Sequence, residues 1–249
     1  MNKQLAIFLF SIQLPFLLSS QQSDQKALNI IEKIDKNMFS KTQIVTSEMI
    51  VYGKRKKRVI RSKGYSKGKE NNFTEYLSPE REKGTKMLKL DDRLWIYSPA
   101  TDRTIQLSGH LLRQSVMGSD LSYEDMMEER KLSELYDAKI VKDGNFNDSP
   151  VWIMDLISKV EGLAYHKRTL WIDKTKFVPL KENLYAKSGT LLKTTTFFNI
   201  KKIDTRWYPM KINYKDMLKD GKGTDFVIID ISFDTYIPKD YFSKNMLKK

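Results

Sequence analysis

The sequence contains no cysteine, so the fold does not depend on disulfides and must be stabilised by packing and hydrogen bonds. Histidine is almost as scarce, because His110 and His166 are the only two, and this argues against a zinc site. The phosphate-loop, nucleophile-elbow and metalloprotease motifs are missing as well. These absences disfavour the common nucleotide-dependent and metal-dependent enzymes, and no cofactor or metal is expected.

Long apolar runs are absent except at the N-terminus. There, Lys3 precedes the run LAIFLFSIQLPFLL, which ends at Leu18 and is followed by two serines. A basic start, a short apolar run and small residues are typical of a secretory signal peptide, and the run is too short to span a bilayer comfortably. We predict a signal peptide over residues 1–20, cleaved near residues 19–21, and one exported domain over residues 21–249. An uncleaved anchor is the alternative.

Acidic residues are fewer than basic ones, which leaves a net charge of +13. A run of five cations, KRKKR over residues 54–58, lies between two strand-like segments. One explanation of this excess of basic residues is coding bias, which gives a solvated basic face. The other is that the basic residues bind anionic lipid head groups or an acidic partner. An exported location argues against nucleic acid as that partner.

The periodicity of apolar residues predicts a mostly β fold. Residues 23–38 carry apolar residues at helical spacing after Ser23, a plausible N-cap. From Ser40 onward the period changes to two, and ten or eleven short strands follow, separated by turn residues. Ser122–Leu135 is predicted to be helical, with a capping box from Ser122 to Asp125 and a break near Lys131. The fold class is α+β, with one strongly curved antiparallel sheet and few helices.

Possible catalytic groups are present but form no convincing constellation. The carboxylate pairs are Asp91–Asp92, Glu124–Asp125 and Glu128–Glu129, and the serines close to His110 in sequence are Ser108, Ser115, Ser119 and Ser122. The first carboxylate pair lies in a predicted turn, and the other two are most simply part of a solvated helix face. No third group orients a serine–histidine dyad. We predict no catalytic residue and no enzymatic activity.

The stretch from Thr85 to Met127 predicts an apolar pocket. Two strand-like segments lead into a methionine-rich loop punctuated by glycine, and methionine suits surfaces that accept irregular apolar ligands. Two helical segments are too few to cover a sheet of this size, so a groove should remain. The predicted groove and cover residues are Trp95, Tyr97, Leu112, Met117, Met126, Trp152, Met154 and Trp171. An ordinary core is the alternative.

Several segments of the sequence resemble one family. They are SPEREKGTKML (78–88), LWIYSPATDR (94–103), SGHLLRQSVMGSDLSYEDM (108–126), WIDKTKFVPLK (171–181), YPMKINYKD (208–216) and IPKDYFSKNML (237–247). They are similar to the LolA-like family of outer-membrane lipoprotein-sorting proteins, in the branch found with transporters of the resistance-nodulation-division type. The resemblance implies an unclosed half β-barrel with helices covering its concave face. No position matches the gating arginine of that family.

The resemblance also implies a function. It is that of a monomeric periplasmic carrier that shields acyl chains of lipoproteins or lipids on the way to the outer membrane. The implied partners are an inner-membrane transporter and an outer-membrane acceptor. The alternative is an accessory module of an envelope transporter, without a cargo of its own.

Overall fold

The computed structural model describes residues 14–53, 56–128 and 130–249, with side chains from Gln25 onward. Helix α1 spans Leu14–Met38, so it begins before the predicted N-cap Ser23. Pro15 lies in the first turn of the helix, where proline is tolerated, and no glycine or proline follows it before Ser23. Residues 1–13 of the predicted signal peptide lie outside the described residues. Within the described part, no helix is both long and apolar enough to cross a membrane.

The described residues form thirteen strands in one antiparallel sheet. They are β1 (Thr42–Tyr52), β2 (Lys57–Lys67), β3 (Asn71–Ser78), β4 (Lys86–Leu90), β5 (Arg93–Ser98), β6 (Arg103–Leu107), β7 (Tyr136–Phe146), β8 (Ser149–Ser158), β9 (Lys167–Asp173), β10 (Pro179–Tyr185), β11 (Leu191–Ile203), β12 (Arg206–Asp216) and β13 (Thr224–Phe233). Two meanders, β1 to β6 and β7 to β13, are joined where β1 pairs with β13. Among the described residues β6 and β7 do not pair, so the sheet is an unclosed half-barrel and the predicted fold class is confirmed.

The count of ten or eleven strands was too low, and β6 is the clearest omission. Its residues RTIQL are almost all exposed, at one edge of the sheet. Ile105 and Leu107 do alternate with Thr104 and Gln106, but the strand is only five residues long and Ile105 is 55% exposed, so the periodic signal is weak.

The two faces of the sheet bury different clusters. We call inner the face that contacts the helices. In the first meander it carries Met49, Ile60, Tyr76, Met87 and Leu94, and in the second Met154, Leu156, Leu170 and Ile172. The outer face of the first meander buries Phe73, Leu88 and Trp95 under Leu247 of a C-terminal 3₁₀ turn. Both faces are therefore apolar in part, which departs from the usual one-sided antiparallel sheet.

Helix α1 covers the inner face of the second meander. Ala27, Ile30, Ile31 and Ile34 recur at helical spacing and are all at most 3% exposed. They pack against the inner residues of strands β7 to β9. The predicted apolar face of this helix is confirmed.

Two further short helices complete the inner side. Helix α2 (Tyr123–Met127) begins with the predicted capping box, because Asp125 N donates to Ser122 Oγ at 3.1 Å and Ser122 N donates to Asp125 Oδ2 at 2.7 Å. Helix α3 (Leu132–Leu135) follows the predicted break, with Lys131 as its N-cap. Asp35 of α1 accepts hydrogen bonds from the first amides of α3, so the two helices are tied together.

Asn37 fixes the end of α1 on the sheet. Its Nδ2 donates to the carbonyls of Lys176 and Phe177 at 2.9 and 3.0 Å, and its Oδ1 accepts from Trp207 N at 3.1 Å. We expect Asn37→Ala to lower the free energy of unfolding by about 1–3 kcal/mol, because three backbone groups lose their partner. Urea denaturation measures the change. Asn29→Ala, at an exposed site on the same helix, should change it by less than about 0.5 kcal/mol. Equal effects of the two variants would contradict this anchoring role.

Candidate functional site

A cavity of about 830 Å³ lies between the inner face and residues 109–128, which we call the cover segment. Its lining combines apolar and charged side chains. The apolar and aromatic lining residues are Met38, Leu112, Leu121, Met126, Met127, Tyr136, Leu163, Ala164, Tyr165, Leu184, Phe197, Tyr214 and Phe226. The charged lining residues are Lys69, Glu70, Lys89, Asp91, Asp92, Glu124, Asp125, Glu128, Arg130, Arg168, Glu182 and Lys193. The volume is that of a site for a small organic or lipid-like ligand, for which about 300–1,000 Å³ is usual.

A smaller cavity of about 260 Å³ continues the first one under α1. Met38 and Phe197 line both cavities, and Ile34 and Leu170 line the extension. Glu128, Arg168 and Glu182 line both cavities as well, so charged side chains lie where the two spaces adjoin.

The cover segment enters the core at one tight turn. Val116 is fully buried and Leu121 is 7% exposed, and Val116 N donates to the Leu121 carbonyl at 2.8 Å. Between them, Met117 and Gly118 have φ angles of 50° and 72°. The left-handed conformation is natural for glycine but rare for methionine. Here the Met117 carbonyl accepts a hydrogen bond from Arg58 of β2, which holds the turn against the sheet.

Hydrogen bonds also hold the cover segment to the β12–β13 hairpin. Asp120 accepts from Asp216 N at 3.0 Å and from the Thr224 hydroxyl at 2.8 Å. Lys219 Nζ donates to Ser115 Oγ at 2.6 Å and to the Ser119 carbonyl at 2.7 Å. The turn of the cover is therefore held both by these polar contacts and by the burial of Val116 and Leu121.

A buried ion pair fastens α2 over the cavity. Lys193 of β11 pairs with Asp125, and the Tyr165 hydroxyl donates to the same carboxylate. The side chains of Lys193 and Asp125 are only 7% and 9% exposed. Burial raises the pKa of the Asp125 carboxyl, but the Lys193 ammonium and the hydrogen bonds from Tyr165 and Ser122 outweigh it, so this pKa is lowered. We call these three residues, Asp125, Tyr165 and Lys193, the α2 clasp.

A second ion pair lies on the cavity wall itself. Arg168 of β9 donates to Glu182 of β10 at 3.0 Å and to the Tyr136 hydroxyl at 2.9 Å. Burial lowers the pKa of the Arg168 guanidinium, but Glu182 and Tyr136 outweigh it and raise the pKa, so the charge is retained. Because these buried charges are paired, they present little net charge to a ligand in the cavity.

The structure brings some of the predicted pocket residues together. Leu112 and Met126 line the cavity. Met117 lies in the cover segment and packs against the inner-face core. Trp152 and Met154 are on the inner face but pack against the cluster under α1 and do not line the cavity. The binding role of Leu112 and Met126 remains a prediction.

The predicted position of Trp95, Tyr97 and Trp171 in the groove is corrected, because these three side chains lie on the outer face. Trp95 and Tyr97 belong to the cluster under the C-terminal turns, and Trp171 packs with Trp207 and Val178. Alternation along β5 sends Leu94 and Ile96 inward and the two aromatic residues outward. Because both sets are apolar, sequence alternation could show that two faces exist but not which one faces the cavity.

Sequence analysis missed the strand residues at the centre of the cavity wall. Leu184, Phe197, Tyr214 and Phe226 lie on β10, β11, β12 and β13. Their alternation was visible, but nothing local shows that four strands converge under the cover segment. Only the register of the pairs, such as Phe197 beside Ile212 and Ile212 beside Phe226, brings them together.

Of the residues weighed as catalytic candidates, Asp91, Asp92, Glu124, Asp125 and Glu128 line the cavity. Asp91 and Asp92 lie in the β4–β5 turn, Ser108 and His110 are exposed, and Asp125 is held in the α2 clasp. Glu128 pairs with Arg130 at 2.6 Å, and Glu129 lies outside the described residues. Within residues 14–53, 56–128 and 130–249, no group of three or more acidic or histidine side chains is placed to hold a metal ion.

Comparisons with known proteins bear on this geometry. A model of an uncharacterized protein family matches residues 68–249, which is more than half of the chain. None of the curated proteins matches the sequence. Sixty-five chains of solved structures do match.

Three solved structures are similar over nearly the whole chain. A domain assigned to outer membrane lipoprotein sorting, from Vibrio parahaemolyticus, is 28% identical with a TM-score of 0.76, covering 91% of this chain and 100% of that one. A LolA superfamily protein from Nitrosomonas europaea is 25% identical with a TM-score of 0.74, covering 88% and 98%. A DUF1329 family protein from Desulfovibrio piger shares the fold, at 22% identity and a TM-score of 0.80, covering 90% and 99%.

Proposed function

This chain belongs to the LolA-like family, and we propose on that basis that it is a non-enzymatic periplasmic carrier of acyl chains. Its cargo would be a lipoprotein or a lipid in transit toward the outer membrane, received from an inner-membrane transporter. The observation that carries the proposal is the cavity of about 830 Å³ beneath the cover segment, to which the cover and four strands contribute apolar side chains. The similar structure from Vibrio parahaemolyticus, assigned to lipoprotein sorting, supports the same class of cargo.

The cavity has the energetics that such a task requires. An acyl chain in water costs about 0.8 kcal/mol for each exposed CH₂ group, so a carrier must bury most of the chain. Leu112, Met126 and Phe197 offer apolar contact from opposite sides of the cavity. Flexible methionine side chains adapt to chains of different length or branching.

Release must be as feasible as uptake, and the cover segment supplies a route. Val116 and Leu121 beside its turn pack in the inner-face core, a small number of hydrogen bonds hold the turn, and one ion pair holds α2. A ligand that pushes Leu112 and Met126 away from the wall replaces their packing with its own. The cover and the cargo therefore compete for the same apolar surface, which keeps binding reversible.

Native mass spectrometry and titration with a fluorescent fatty acid test the proposal on the full chain. We expect acyl species to co-purify under gentle conditions and the probe to saturate one site. Unlabelled phospholipid should displace the probe. An empty protein that also takes up no probe would overturn the carrier function. Stoichiometric capture of an inner-membrane protein without any lipid dependence would then favour the accessory-module alternative.

A further inference from the structure

Two neighbouring hairpins form one end of the half-barrel. The β1–β2 turn and the β12–β13 turn are adjacent because β1 pairs with β13, with Val51 opposite Thr224. The Tyr52 hydroxyl of the first hairpin donates to Asp225 beside the second at 2.8 Å. The described residues at this end, Tyr52, residues 56–58 and residues 216–222, therefore lie close together, and we call them the tip.

This tip exposes apolar side chains in a position where they cover nothing. Leu218 is 75% exposed and Met217 is 44% exposed, and both lie in the β12–β13 turn. Tyr52, at the end of β1, is 37% exposed. A turn that is exposed to water gains no stability from such apolar side chains. Leu218 is among the most exposed large apolar side chains of the described residues.

Cations surround these apolar residues. Lys56, Lys57 and Arg58 are exposed at the start of β2, and Lys222 is exposed beside Leu218. The described residues 56–58 and 216–222 carry five cations, Lys56, Lys57, Arg58, Lys219 and Lys222, and two carboxylates, Asp216 and Asp220. Glu82 pairs with Arg58 at 3.8 Å, and the end of the half-barrel keeps an excess of positive charge. Proteins bind anionic membrane surfaces with apolar side chains that are flanked by lysine and arginine. The aliphatic groups enter the head-group layer, and the cations contact lipid phosphates.

We infer that the end of the half-barrel formed by the β1–β2 and β12–β13 hairpins docks on the head-group layer of an anionic membrane. The shape of the tip favours a membrane over an acidic protein partner. Leu218 and Met217 project from a turn and line no groove into which a partner helix or strand could fit. A fluid lipid surface accepts such projections without shape complementarity.

Docking in this orientation also places the cover segment beside the membrane. Arg58 holds the Met117 carbonyl, and Lys219 holds the Ser119 carbonyl and the Ser115 hydroxyl. Lipid phosphates compete for these same two cations when the tip is docked. If the proposed carrier function holds, the membrane therefore loosens the cover at the place where cargo is exchanged.

Vesicle co-sedimentation of the full chain tests the docking. The vesicles are phosphatidylcholine alone, or phosphatidylcholine with phosphatidylglycerol at 3:1. We expect binding to the anionic vesicles that weakens as salt is raised, and weaker binding to neutral ones. Leu218→Ser should lower the partition coefficient about tenfold. The pair Lys56→Glu and Lys57→Glu should lower it by at least about tenfold.

Matched controls lie at the opposite end of the same strands. Tyr236→Ser removes another exposed apolar side chain, which is 82% exposed just beyond β13. Lys201→Glu with Lys202→Glu makes the same change of charge at the far end of β11. Both controls should leave anionic-vesicle binding within about twofold of the unaltered chain. The apolar N-terminal residues are the same in all of these variants, so any vesicle binding that they contribute is also the same.

Several outcomes would overturn the inference. They are equal binding to both vesicle types, no effect of Leu218→Ser, or effects of the far-end controls as large as those of the tip variants. Tip variants that bind vesicles normally but lose capture of an inner-membrane protein would assign the surface to a protein instead. The fluorescent fatty acid should bind Leu218→Ser normally, so failure of docking is distinguishable from failure of the carrier function.

Discussion

Replacing Lys193 with methionine is expected to lower the free energy of unfolding by about 3–5 kcal/mol, because it leaves the Asp125 carboxylate buried without its cation. Asp125 would keep the hydrogen bonds that the Tyr165 hydroxyl and Ser122 N donate to its carboxylate, but these bonds do not neutralise its charge. Urea denaturation at pH 7 measures the loss. A loss below about 1 kcal/mol would show that the α2 clasp is not a structural ion pair.

The double variant Lys193→Met with Asp125→Asn separates the charge from the packing. Removing both charges should recover much of the stability lost in the single variant, because a neutral pair has no unpaired buried charge. Asp125→Asn alone leaves the ammonium of Lys193 without a partner and should be destabilising by itself. Simple additivity of the two single variants would contradict direct coupling between these side chains.

The same ion pair predicts a dependence on pH. The pKa of Asp125 is lowered in the folded protein, so its stabilising contribution is present above the unfolded carboxyl value of about 3.9. That contribution is lost as pH falls through the lowered pKa of the folded state. Unfolding curves from pH 6 to pH 2 should therefore show the unaltered chain and Lys193→Met converging below about pH 4. A stability difference that stays constant over this range would refute the assignment.

Met126→Asp is expected to weaken binding of a fluorescent fatty acid by at least about tenfold. Met126 lies on α2 and lines the cavity, and a carboxylate there must lose water when an acyl chain is bound. The nearby carboxylates Glu124 and Asp125 add repulsion. Folding should survive, because no residue of α2 is fully buried. Circular dichroism of the variant checks this before the titration.

Met246→Asp provides the matched control for that variant. Met246 is also half-buried, but it packs on the outer face with Trp95 and Leu247. The same substitution there should reduce stability without changing the affinity of the remaining folded protein for the probe. If Met246→Asp impairs binding and Met126→Asp does not, the ligand site lies on the outer face and the cavity assignment is wrong.

Local patterns predicted the elements of this fold well. The capping box at Ser122 and the buried face of α1 agree with their predictions from the sequence. Each of these depends on residues close together in the chain, where side-chain periodicity and hydrogen-bonding chemistry act directly.

The candidate site was harder to predict, because it depends on contacts between distant segments. Lys193 lies 68 positions after Asp125, and neither residue has a local pattern that marks it as a partner of the other. Trp95 and Trp171 were assigned to the pocket because large aromatic residues suggest a ligand surface, yet both sit on the outer face. Aromatic content predicts where apolar surface is buried, but the curvature of the sheet decides which surface encloses a cavity.

The pairing of β1 with β13 has a consequence for the order of folding. Residues 43–51 meet residues 224–233, so the central joint of the sheet closes the longest loop in the chain. Each meander has only neighbouring contacts and can form early, whereas the joint must wait for the last strand. The cavity draws its lining from both sides of that joint, from Met126 and Phe226 among others. A chain delivered N-terminus first therefore has no complete cavity until its final strand has arrived.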